Sequence, residues 1–151
     1  MDRPILLSQG QNHTAIDLGN LENLMDYSYL HPKLKTEIRG KIFTGEILQT
    51  TGAEISFQVL PPSAEIPFMH SHRNHEEIYI FLKGVGEFQI DGKVFEIREG
   101  SVVRISPEGK RTWRNTSEGP MIFICIQTQH GTLNNRFAGD GFATSDKVEW
   151  N

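Results

Sequence analysis

From residue 41 onward the chain is a series of short apolar runs cut by turn-forming residues. Residues 41–49, 53–60, 77–82, 86–90, 93–97, 101–105, 112–115 and 121–128 are mostly rich in Ile, Val, Phe and Tyr. Most of them partly alternate apolar with polar positions, and a period of two places every second side chain on one face of a strand. The separators are Thr51-Gly52, Pro61-Pro62-Ser63, Lys83-Gly84, Asp91-Gly92, Glu99-Gly100, Pro107-Glu108-Gly109 and residues 117–120. Asp91-Gly92, set between two runs, is the signal of a type I′ hairpin. No helical pattern of roughly 10–15 residues separates the runs, so they predict an all-β domain. Its antiparallel strands are expected to close into a small β-barrel or double-sheet sandwich.

The first forty residues are more weakly patterned. Leu18, Leu21, Leu24 and Met25 give a short helical period, with Asn20 as its cap and His31-Pro32 as its stop. Residues 1–40 are therefore expected to form an N-terminal arm with a helical turn, residues 41–130 the barrel, and residues 131–151 a polar tail. Residues 147–150 could add a last short edge strand. Leu18, Leu21, Leu24, Tyr27 and Tyr29 have no clear place inside a small barrel, and open sheet edges need cover. A homodimer is expected on both grounds.

Composition narrows the function classes. The 151 residues fit one domain. A net charge of −4 lacks the basic footprint that nucleic-acid binding needs. At 37% hydrophobic and 23% charged residues, the chain has the material for a packed core. No apolar run approaches the roughly 18 residues of a membrane span. The apolar stretch at residues 5–7 is too short for a signal-peptide core, and one cysteine, Cys125, makes no intrachain disulfide. A cytoplasmic protein without nucleic-acid or membrane partners is expected.

The chemistry gathers at one place. His70, His72 and His75 are followed at once by Glu76 and Glu77. On an extended strand, His70 and His72 point to the same face. Glu77, Tyr79 and Phe81 share one face of the next run, and Glu76 points the other way. Two imidazoles and one carboxylate suit a single divalent transition metal, whether Fe, Mn, Zn, Ni or Co. The same residues could form a polar pocket without metal. His75 is off the strand period and is the reserve ligand. Tyr79, Phe81 and Trp113 could line a ligand cavity or serve as ordinary core. Cys125 has no basic neighbour in sequence and reads as inert packing. His13, His31 and His130 read as surface residues.

Residues 67–84, PFMHSHRNHEEIYIFLKG, resemble the first motif of the cupin superfamily at His70, His72, Glu77 and Gly84. Ala64 stands where that motif opens with glycine. Residues 100–115 are similar to the second motif at Gly100, Pro107, Gly109 and Asn115, but the histidine between them is missing. Arg111 or Thr112 takes its place. The resemblance implies a jelly-roll, or double-stranded β-helix, of the "cupin 2" conserved-barrel type. It also implies a metal site and activities such as those of dioxygenases or sugar-phosphate isomerases. A guanidinium cannot ligate a metal. Either three ligands hold the ion while Arg111 binds the anionic group of a small organic ligand, or the site is metal-free and Arg111 pairs with Glu77. The ligand-facing arrangement is the one expected, because Glu77 already has His70 and His72 beside it. The expected function is small-molecule binding, as a metal-dependent enzyme on a small anionic substrate or as a non-catalytic, metal-free binder.

Overall fold

A computed structural model describes residues 4–134 and 139–150. The N-terminal segment opens with an antiparallel hairpin, β1 (Ile5–Gly10) and β2 (His13–Asp17). A 3₁₀ helix at Leu21–Asp26 follows, capped by the Asn20 side chain, which accepts from the Glu22 N–H. The helix ends well before His31-Pro32, because the chain becomes extended at Tyr27 and enters β3 (Ser28–Leu30), paired with β4 (Glu37–Arg39). Strand β1 is exposed along its whole length, so no buried face imposed an alternation that the sequence could show.

Strand β5 (Lys41–Phe43) stops earlier than the 41–49 run suggests. A single turn of helix, α1 (Gly45–Leu48), takes over. The Glu54 carboxylate accepts the Gly45 N–H at 2.8 Å, and Gln49 closes the turn in the left-handed region at φ 58°. The remaining strands fall on the predicted runs: β6 (Ala53–Leu60), β7 (His75–Lys83), β8 (Val85–Ile90), β9 (Lys93–Arg98), β10 (Val102–Ile105), β11 (Arg111–Asn115) and β12 (Met121–Gln129). Asp91 and Gly92 both have positive φ, as a type I′ turn requires. Residues 147–150 are exposed and form no strand, so the expected edge strand is absent from the described tail.

Five strands form one antiparallel sheet in the order β10-β7-β12-β6-β5, and three form a second, β11-β8-β9. Their facing sides enclose an aromatic core of Tyr79, Phe81, Phe88, Trp113 and Phe123, packed with Ile97, Val103, Ile105, Met121 and Cys125. Burying each such ring contributes about 1.5–3 kcal/mol. Phe81 is 1% exposed and in ring contact with Tyr79, Phe88 and Phe123, so it belongs to this core rather than to a cavity wall.

A second core covers the outer face of the large sheet. Leu24 and Tyr27 are buried there with Val59 and Ile122, flanked by Leu21 and Met25. These residues are satisfied within the chain itself, which removes them as an argument for a second copy.

The chain between β6 and β7 adds an irregular extended segment alongside β11. Its tethers are the bridges Glu65–Arg114 and His70–Arg111. Here Ser63 takes the positive φ of the turn, so Ala64 needs none. Gly84, at φ 89°, turns β7 into β8, and a Cβ there would stand 2.8 Å from the Met121 Cα. Asn115 is buried and holds the connections together, donating to the carbonyls of Leu60 and Gly119 and accepting the Ser117 N–H.

Candidate functional site

Three pieces of chain meet at one end of the barrel. Strand β7 turns Glu77, Tyr79 and Phe81 inward, following the expected alternation. Strand β11 turns Arg111, Trp113 and Asn115 inward, which settles the position left open between Arg111 and Thr112. Thr112 faces outward, and its hydroxyl donates to the Ile66 carbonyl. His70 and His72 lie on the extended segment rather than on a named strand. The segment is nonetheless held in strand-like register. His70 and Arg111 exchange both backbone hydrogen bonds, at 3.1 and 3.0 Å, and the His72 N–H reaches the Pro107 carbonyl.

The outcome is one carboxylate among many donors. The Glu77 Oε1 meets His72 Nε2 at 3.0 Å, Gln127 Nε2 at 2.9 Å and the Cys125 Sγ at 3.5 Å. Its Oε2 accepts from the Tyr79 hydroxyl at 2.8 Å and from Arg111 Nε and Nη2 at 3.1 and 2.5 Å. Arg111 is fully buried, and its Nη1 donates to the Gly109 carbonyl. The expectation that Arg111 faces a ligand therefore gives way to the other arrangement: a buried Arg111–Glu77 ion pair.

These contacts set the charge states. Burial alone would raise the Glu77 carboxyl, but hydrogen bonds from His72 and Arg111, with the charge of Arg111, hold it well below the usual carboxylate range. Burial, then the Arg111 charge, push His70 down to about 4, so this imidazole is neutral near pH 7. Burial, then the Glu77 charge, push the Cys125 thiol up to about 12, in keeping with inert packing. Among the described residues, two buried polar atoms, His70 Nδ1 and Trp113 Nε1, have no hydrogen-bond partner, and their rings lie 5.7 Å apart. Such atoms mark a place where a partner belongs.

His70, His72 and Glu77 offer ligand atoms within 4.8 Å of one another, so this group could hold a metal ion. The donors fit in type and spacing; the charge does not. Six donors already meet a carboxylate with about four lone-pair sites. The neighbouring position supplies a fixed positive charge instead of a fourth ligand. A divalent ion would have to displace donors from Oε1 and sit beside a buried guanidinium.

His75 lies outside this group. It borders a polar groove of about 630 Å³ with α1, and Gln127 links the groove to Glu77. His130 is on the outer surface with Glu76 and Arg104. Gln127 is the participant that sequence reasoning missed. The signal was present: Phe123, Cys125 and Gln127 share the inward parity of β12, opposite Phe81, Tyr79 and Glu77.

Two facing antiparallel sheets with an inward polar cluster at one end define a small barrel with an internal site. The comparisons agree. A model of the cupin domain matches residues 56–127. The crystal structure of a cupin protein from Bacteroides fragilis is 40% identical, covers 69% of this chain and 88% of that one, and superposes with a TM-score of 0.66. The chain belongs to the cupin family. An uncharacterized protein of Methanocaldococcus jannaschii is 28% identical over 68 residues, which are 45% of this chain and 54% of that protein, so the match spans about half of that relative. A predicted oxalate decarboxylase from Thermotoga maritima shares the fold at 24% identity and a TM-score of 0.54, over 63% of this chain and 83% of that one.

Proposed function

We propose that this cupin binds a small anionic organic molecule inside the barrel, beside His70, His72 and Trp113, and that its resting site contains no metal. The observation that carries this reading is the buried Arg111–Glu77 pair, in which the guanidinium balances the carboxylate at the centre. Unpartnered His70 Nδ1 and Trp113 Nε1 supply polar contacts for a ligand at the same place. The Arg111 charge offsets that of Glu77, which lessens the repulsion an incoming anion would meet.

A second reading has its own support. The spacing of His70, His72 and Glu77 favours a metal-dependent enzyme, of the dioxygenase or sugar-phosphate isomerase kind, in which these three residues hold a divalent ion. The ion would supply Lewis acidity or oxygen activation.

Calorimetric titration separates the two. Protein passed over a chelating resin should bind oxalate or inorganic phosphate without added metal. Oxalate is the natural first probe given the likeness in fold to the predicted oxalate decarboxylase. Binding that appears only after Mn²⁺ or Zn²⁺ is restored would favour the second reading instead.

A further inference from the structure

We propose that Lys41 is the residue that receives the anionic group of a ligand in this barrel. The inference rests on the anion-binding reading above and supplies the cation that Arg111 cannot. Arg111 has no exposed surface, and its guanidinium is committed to Glu77 and Gly109.

Lys41 stands on β5, opposite Gln58, with Phe43 opposite Ser56. Ser56 and Gln58 are buried on the inner face of the large sheet, and Ser56 is itself opposite Cys125. The Lys41 side chain lies along this inner face, with Nζ 4.5 Å from the centre of the Phe43 ring. Gln58 is in turn opposite the core residue Phe123, so Lys41 faces the same interior as the centre, and its charge acts with that of Arg111 on His70.

The ammonium is also unsatisfied. Among the described residues it makes no hydrogen bond and no ion pair, and its partner there is the face of Phe43. The Glu54 carboxylate acts on it from a distance while one of its oxygens accepts the Gly45 N–H. Burial lowers the affinity of Lys41 for its proton, and the charges of Glu77 and Glu54 only oppose that fall. A desolvated ammonium without an anion costs stability. A carboxylate or phosphate group arriving in the barrel would supply the missing partner, and charge-assisted hydrogen bonds to it are among the strong ones. The aromatic face of Phe43 holds the ammonium in place meanwhile.

The test compares the chain with Lys41→Met and Lys41→Arg, titrating metal-stripped protein with oxalate and with inorganic phosphate and recording Tm for each. Lys41→Met should weaken binding by about tenfold or more while raising Tm, because it removes a half-buried, unpaired charge and keeps the volume. Lys41→Arg should keep binding within a few-fold of the original. Unchanged binding in Lys41→Met would remove Lys41 from the site and leave the anion pocket standing. A lowered Tm in Lys41→Met would make the residue structural and overturn the proposal. Silence of the unaltered chain toward both probes would overturn the anion pocket and this inference together.

Discussion

Replacing Arg111 with Met should cost about 3–5 kcal/mol of stability, the range for removing one partner of a buried ion pair. The substitution leaves Glu77 2% exposed and without its guanidinium, with His72, Tyr79 and Gln127 as its remaining close partners. The cost comes from the stranded carboxylate rather than from lost packing, since Met fills much of the same volume. The double variant Arg111→Met, Glu77→Gln should therefore recover most of the loss, because it removes both charges and keeps an acceptor for Tyr79. Urea unfolding of the parent, both single variants and the double variant gives the coupling energy directly. A loss below about 1 kcal/mol for Arg111→Met, as expected of an exposed pair, would mean that another cation neutralises Glu77.

The second large effect is on pH dependence. His70 titrates near 6.5 when unfolded and about 4 in the folded chain. A depressed histidine is stabilising in its neutral form. Its contribution is fully present above pH 6.5, falls as the pH drops from 6.5 toward 4, and is gone below. In that window the unfolded chain binds more protons than the folded one, so stability rises with pH. The His70 ring is partly reached by solvent, so screening keeps the effect below the full value of the gap. His70→Asn should flatten the stability profile between pH 4 and 6.5 relative to the parent, as read by urea midpoints at several pH values. An unchanged slope in His70→Asn would show that the imidazole is not desolvated beside Arg111.

The barrel strands were legible because burial on one face writes a period of two into the sequence. The His70, His72 and Glu77 cluster was legible for the same reason, since strand parity brings side chains of fixed spacing to one face. Three features escaped. The hairpin of β1 and β2 has no buried face to impose a pattern. The α1 turn depends on the Glu54 carboxylate arriving from β6, a contact that no local pattern carries. The partner of Arg111 could not be fixed from residue types: the guanidinium suits a ligand anion and a protein carboxylate equally. What decides is the register of His70 against Arg111, which aims the side chain at Glu77 and seals it from solvent. Lys41 was hidden because an inward polar residue on a strand looks like an outward one until the opposing strand is known, whereas Gln127 shared the parity of Phe123 and Cys125.

The central claim is that Arg111 stands in for a metal at this centre. Elemental analysis of the untagged chain, purified without added metal, tests it most directly when run beside Arg111→His, which restores the histidine of the second cupin motif. The account predicts substoichiometric metal in the parent chain and close to one divalent ion per chain in Arg111→His. Stoichiometric metal in the parent chain, lost on replacing His70 or His72, would contradict it.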